Sequence, residues 1–326
     1  MLALNAISKR FAGRSNPQVD DVCLTVDSGE IVAIVGPSGA GKTTLLRIVA
    51  GLGTMDSGSL HFAGRSIAAD SPQDRRFALL FQDDVLLPML SVRAHLTMVS
   101  RVSHARMAEI VELLDLDGLL LRRVGACSGG ERQRIAFARA LASAPRAMLY
   151  DEPLAHIDPQ GRSSALALVG AVSRAAGGPA LYVTHDHAEA MTVGTRIAVL
   201  IDGRVEQIGP PQAVYDAPAT IRVARFLGEP PMNVSERLAA HFGFSGMALG
   251  FRPHCARICD DGDLRGRVLS LTRLGSDVIL LVATTAGDVH VRVDARDTPA
   301  VNANLGLHIH ADDIHRFDLF SGARIP

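Results

Sequence analysis

The sequence predicts an α/β fold built on a parallel sheet, followed by a smaller β-rich domain. Three observations carry this. Residues 30–35 form a short β-branched run that ends at Gly36 in a glycine-rich turn, and a helix-patterned stretch follows from Lys42 to about Gly51. Two later apolar runs, 147–151 and 180–184, each stop directly at polar residues, as strands of the same sheet would. Beyond residue 232 the pattern changes to short alternating segments, such as 278–282 and 289–293, separated by Gly and Asp turns.

Strand, glycine turn and helix form the opening unit of a parallel sheet, in which ligands gather beyond the carboxyl ends of the strands. Gly51 suits the end of the first helix. Between the sheet strands lies a helix-rich stretch, about 91–143, with apolar residues at helical spacing in Ala108-Glu-Ile-Val-Glu-Leu-Leu114. Asp202-Gly203 separates two apolar runs and signals a hairpin. Gly228-Glu-Pro-Pro-Met232 reads as a linker. The expected domains are therefore 1–231, with a helical subdomain at about 83–143, and a β-rich 232–326.

Composition narrows the function classes. The chain has 326 residues, 48% hydrophobic and 21% charged, which suits packed domains rather than disorder. A net charge of −1, no Trp and 4% aromatics argue against a nucleic-acid partner. Cys23, Cys127, Cys255 and Cys259 lack zinc-site spacing and read as reduced thiols. The N-terminus has no basic start or apolar core of a secretory signal, and no apolar run nears the ~20 residues of a membrane-spanning helix. Any membrane role needs another chain to do the crossing.

Gly36-Pro37-Ser38-Gly39-Ala40-Gly41-Lys42-Thr43-Thr44 satisfies G-x-x-x-x-G-K-[ST] between the strand and helix that the motif requires. The glycines let several backbone N–H groups face one phosphate, Lys42 neutralises the outer phosphates, and Thr43 offers a hydroxyl to Mg²⁺. This predicts a nucleoside triphosphate site. Asp151-Glu152-Pro153 closes the strand 147–151. The first carboxylate is placed to hold Mg²⁺ and the second to take a proton from water. Ser128-Gly129-Gly130-Glu131 opens a helix and reads as a capping box, yet a helix start with a Ser and two glycines also binds phosphate. His185 ends the strand 180–184, where a neutral imidazole can bond a γ-phosphate and hold Glu152. His187 reads as a surface residue.

In order and spacing these motifs resemble the nucleotide-binding subunit of ABC transporters over essentially the whole chain. The resemblance implies a P-loop NTPase (RecA-like) core with a helical subdomain and a C-terminal OB/TOBE-like domain. It implies ATP and Mg²⁺ as cofactors, Glu152 as general base, Asp151 as magnesium ligand and His185 as switch histidine. Gln82, in Leu80-Phe-Gln-Asp-Asp, matches the glutamine that senses Mg²⁺ and the attacking water. Residues 86–90 would then accept a short helix of the transmembrane partner. Ser128, Gly129, Gly130 and Glu131 match the signature, with Cys127 where Leu is usual and Glu131 where Gln is common. A carboxylate facing a γ-phosphate would repel it, so Glu131 is expected to point elsewhere. Asp158 matches the aspartate that crosses to the opposite subunit, in an unusual Ala155-His156-Ile157 context. Phe11 matches the aromatic on which adenine stacks, although a Phe in a loop is often only a packing residue.

The family's mechanism pairs two such chains head to tail, each lending Ser128 and Gly130 to the ATP on the other's phosphate loop. It places them on the cytoplasmic face of the inner membrane under permease subunits, served indirectly by an extracytoplasmic solute-binding protein. The appended β domain and the runs Phe226-Leu-Gly-Glu-Pro-Pro-Met-Asn233 and Gly250-Phe-Arg-Pro-His254 resemble the importer branch, nearest its sugar and glycerol-3-phosphate group. Importers of polyamine, ferric iron or sulfate/molybdate, and a low-turnover soluble ABC regulator, stay open as rivals.

Overall fold

A computed structural model describes the chain except for residues 14–15, 82–85, 156, 158 and 326, and the side chain of residue 159. Gln82 and Asp158 thus lie outside the described residues. The chain divides into two compact units, Met1–Gln212 and Ala213–Pro326.

In the first unit a six-stranded sheet runs in the order Arg204–Gly209, Arg196–Ile201, Ile31–Val35, Ala180–Thr184, Ala147–Asp151, Phe77–Leu80. The central strands pair in parallel, with Val35 opposite Thr184 and Asp151 opposite Val183. The edge hairpin is antiparallel and turns through Asp202 (φ 50°) and Gly203 (φ 81°), the positive-φ pair of a tight hairpin.

Both faces of this sheet are buried, which is why its strands read as continuous apolar runs rather than alternating ones. Val32, Ile34, Leu149, Leu181 and Val183 join a core that includes Leu45, Leu46 and Val49 of the helix Lys42–Ala50. That core also takes Leu2, Leu4 and Ile7 from a four-stranded antiparallel sheet. On the other face Met148, Tyr150 and Tyr182 pack with Ile135, Phe137 and Leu141 of the helix Gly129–Ala142, and with Val169 and Val172 of the helix Pro159–Ala176. The two tyrosines are fully buried, and each hydroxyl has a partner, as burial demands. Tyr150 bonds Ser173 at 2.8 Å, and Tyr182 donates to Glu189 at 2.9 Å.

The helix-rich stretch contains Val92–Val99, His104–Leu113 and Gly129–Ala142. Serines start all three: the hydroxyls of Ser91, Ser103 and Ser128 accept from the backbone N–H three residues on. Each such cap contributes about 1 kcal/mol.

The second unit holds a four-stranded sheet (Asn233–Ser235, Met247–Phe251, His315–Asp318, Arg324–Ile325) and a five-stranded one. The latter runs Ala256–Cys259, Asn304–Ile309, Leu264–Leu274, Asp277–Thr284, Gly287–Asp294, all antiparallel. Its core includes Phe251, Leu264, Leu280, Val291 and Leu307.

The division at 212/213 falls upstream of the expected 231/232 boundary, and Gly228–Met232 is not a free linker. Met232 is 2% exposed and packs with Ala224, Val234, Ala248 and Phe317. Arg252 is the tie. Its buried guanidinium donates to the carbonyls of Leu227 and, at 2.6 Å, Tyr215, and lies 3.9 Å over the Tyr215 ring. Thr220 bridges to Ala323, and Ile221 N–H donates to Gly322. The helical segments after residue 212 therefore fold as part of the β-rich unit.

Arg252→Ala leaves those buried carbonyls without a donor, which costs on the order of 3 kcal/mol. The expected result is a lower urea midpoint for this unit and faster amide exchange across residues 213–232, read by mass spectrometry. Unchanged exchange there would remove Arg252 as the tie.

Candidate active site

The phosphate loop joins Ile31–Val35 to Lys42–Ala50 and leaves its backbone little freedom. At Gly36 a Cβ would stand 2.0 Å from the Leu200 carbonyl oxygen, inside any permitted contact. Gly41 has φ 103°, and a Cβ there would meet the Gln18 carbonyl at 2.2 Å. These two positions explain why the motif demands glycine: one for close approach, one for a left-handed turn into the helix. Ser38, Gly39, Ala40, Gly41, Lys42, Thr43 and Thr44 line a cavity of about 240 Å³, with Gln18 and Glu152 on its far walls. Pro37 holds the turn, its carbonyl accepting from Ala40 N–H at 3.1 Å.

Lys42 is 6% exposed, and its ammonium donates to the Gly36 carbonyl at 2.7 Å and the Pro37 carbonyl at 3.1 Å. Burial pushes its pKa down, while the carboxylates of Glu152 and Asp151 push it up. An anionic phosphate replacing those carbonyls would add the charge that burial removes.

Asp151 ends its strand half-buried, and its Oδ1 accepts from the Thr43 hydroxyl at 3.0 Å. Burial raises its pKa, the Thr43 bond opposes this, and the neighbouring Glu152 adds to the rise. A hydroxyl and a carboxylate crowded this way beside a phosphate cradle are hard oxygen donors of the kind Mg²⁺ takes. Thr43 and Asp151 fit that ion.

Glu152 turns out of the sheet with φ 49°, a conformation rare outside glycine, and its N–H donates to the Val183 carbonyl at 2.9 Å. This kink separates two adjacent carboxylates, sending Asp151 to Thr43 and Glu152 to the next strand. There Glu152 Oε2 meets His185 Nδ1 at 3.0 Å. The imidazole is 61% exposed and the carboxylate 26%, and Glu152 lines the phosphate-loop cavity.

Ser128 caps its helix in a closed capping box: its Oγ accepts from Glu131 N–H at 3.2 Å, and Glu131 Oε2 accepts from Ser128 N–H at 2.7 Å. The other Glu131 oxygen lies 3.2 Å from Arg122. These bonds and Arg122 hold its carboxyl below the usual range. Its charge is thus spent within its own chain, on the Ser128 backbone N–H, the Ser128 side chain and Arg122. Among the described residues, none of Ser128–Glu131 lines the phosphate-loop cavity. Phe11 is 45% exposed, with Lys9 Nζ 5.8 Å from its ring. Of the remaining expected site residues, Gln82 and Asp158 carry no geometry here.

Three participants had no motif to mark them. Gln18 walls the cavity from a strand start, Arg122 reaches Glu131 from nine residues upstream, and Glu189 lies buried behind His185. Only Glu189 left a trace: Asp186-His-Ala-Glu189 has capping spacing, and Asp186 Oδ1 does accept from Glu189 N–H at 3.0 Å.

The ABC transporter family model matches residues 19–155 and the TOBE domain model residues 249–317. The chain is 35% identical to the sn-glycerol-3-phosphate import ATP-binding protein UgpC of Chromobacterium violaceum, across 99% of this chain and 96% of that protein. It is 33% identical to the UgpC protein of Escherichia coli O6:K15:H31, across 99% of each. The dimeric structure of a bacterial ABC transporter cassette resembles it with TM-score 0.55 at 27% identity, covering 65% of this chain and 99% of that one. The ATP binding subunit of another ABC transporter does so with TM-score 0.56 at 26% identity, covering 64% and 90%. A phosphate loop, a kinked Asp-Glu strand end, a capped Ser-Gly-Gly helix and full-length relatives agree: the chain belongs to the ATP-binding proteins of ABC transporters, an ATPase cassette followed by a TOBE domain.

Proposed function

We propose that this chain is the ATPase of an ABC importer for sn-glycerol-3-phosphate, working as a head-to-tail pair under permease subunits on the inner face of the membrane. The observation that carries the pairing is the split geometry. Phosphate loop, Asp151, Glu152 and His185 converge within one chain, while Ser128–Glu131 stands apart from that cavity with a phosphate-binding helix start of its own. A second copy in two-fold relation would bring that helix start to the nucleotide, so that ATP joins the two faces and its hydrolysis parts them. Asp158 and Gln82 are assigned by resemblance to the crossing and sensing positions, and Phe11 to the adenine.

Thr43 and Asp151 would hold Mg²⁺, which supplies positive charge to the phosphates. Glu152 takes a proton from the attacking water, and His185 keeps its carboxylate aimed while donating toward the γ-phosphate. The motion is passed on through another chain, because no helix among the described residues is long and apolar enough to cross a membrane. The solute reading is supported by the printed names of full-length relatives and by the junction Phe226–Asn233. A solute-binding protein outside the membrane completes the system.

Glu152→Gln is expected to bind ATP with near-native affinity while kcat falls about 10²–10⁴-fold, by nucleotide titration and phosphate release. Normal turnover in that variant would remove Glu152 as the base. The wild-type rate per subunit should drop as the purified chain is diluted through the micromolar range; a concentration-independent rate without a stable dimer would contradict the split site. In cells lacking their own glycerol-3-phosphate importer ATPase, this chain co-expressed with its permease and binding protein should restore uptake of radiolabelled sn-glycerol-3-phosphate. Uptake of maltose, polyamine or sulfate instead would overturn the solute assignment.

A further inference from the structure

Next to the Glu152–His185 pair in sequence lies a second set of charges, centred on one buried carboxylate, that does not line the phosphate-loop cavity. Glu189 is 3% exposed, on the helix His187–Val193. Its Oε2 accepts from the Tyr182 hydroxyl at 2.9 Å and the Thr184 hydroxyl at 2.8 Å. Its Oε1 lies 3.5 Å from Arg162 Nε, an ion pair rather than a hydrogen bond. Arg162 comes from the helix Pro159–Ala176 and also donates to Asp186 Oδ2 at 2.6 Å.

These contacts enclose one residue. Thr184 Oγ1 donates to Glu189 and accepts from Asp186 N–H at 3.0 Å, while Asp186 Oδ1 accepts from Glu189 N–H at 3.0 Å. The residues on either side of His185 are thus bound to Glu189 and Arg162. Among the described residues, the ring of His185 hydrogen-bonds Glu152 alone. An exposed imidazole has many rotamers and little packing to choose among them, so its aim depends on the backbone that presents it. A buried carboxylate is expensive unless donors and a cation satisfy it, and this one has both.

We propose that Glu189, together with Arg162, is a positioning residue for His185: the ion pair ties the turn that aims the imidazole at Glu152 to the helix following residue 158. Movement of that helix would then change the aim of the imidazole without any change in the nucleotide cradle. The proposal rests on the role given to His185 above. It adds that this role is set by side chains outside the phosphate-loop cavity.

The test is a double-mutant cycle on the full chain. Glu189→Gln keeps an oxygen for the two hydroxyls but turns an uncharged amide toward Arg162. It should lower kcat about tenfold or more, with ATP affinity unchanged and little loss of thermal stability. In a His185→Ala background the same substitution should cost less than about twofold, because what it positions is gone. Arg162→Lys, at a partly exposed site that tolerates change, should repeat the pattern and serves if Glu189→Gln folds poorly. Equal fractional losses in both backgrounds, or wild-type turnover in both single variants, would overturn the positioning role. If His185→Ala itself turns over normally, the role of His185 falls, and this proposal with it.

Discussion

Everything at the reaction centre depends on register in a parallel sheet. Val35 pairs with Thr184 and Asp151 with Val183, so the residues that leave these strands, Gly36, His185 and Glu152, emerge together at one edge. Side chains alternate along a strand, so a slip of one residue would exchange the two buried faces, sending Tyr150 to the side of Leu149 and turning Asp151 away from Thr43. The register is defended by what lies on both faces: Leu149 and Val183 on one side, Tyr150 and Tyr182 on the other, none with measurable exposure. The geometry of the proposed site is thus a by-product of core packing on the two faces of the sheet.

Electrostatics then divides the labour among groups that sit close together. Lys42 is pushed toward neutrality and Asp151 toward protonation by the same cause, removal from water. Neighbouring charges oppose the shift in each, Glu152 and Asp151 for Lys42, Arg47 and Lys42 for Asp151. Glu131 is the opposite case, its negative charge already paired with Arg122 and a backbone N–H. That pairing explains how a carboxylate would be tolerated in a helix start proposed to receive phosphate.

How much of this was legible in the sequence follows from distance along the chain. The phosphate loop, the Asp151–Glu152 pair, the Ser128 cap and the Asp202-Gly203 hairpin are local, and each was readable from its own few residues. The extent of the second unit was not. Gly228-Glu-Pro-Pro-Met232 has the composition of a linker, yet it is held by Arg252, which the sequence presents only as part of a Phe-Arg-Pro run. Arg122 and Arg162 were equally silent, because an arginine declares its partner only once folding has brought it near. The kink at Glu152 was also invisible: nothing about Glu predicts a positive φ, and it is the surrounding sheet that imposes it.

The pair of buried phenols has a use beyond packing. The chain contains no Trp and three Tyr, and Tyr150 and Tyr182 stand with ring centroids 5.7 Å apart on the strands that deliver Glu152 and His185. Most of the protein's native ultraviolet chromophore is therefore concentrated directly beneath the chemistry, with Tyr215 in the other unit as an internal reference. Coupled rings at that spacing give near-ultraviolet circular dichroism sensitive to their mutual angle. An unlabelled sample thus carries its own optical gauge of the sheet edge from which the reaction is run.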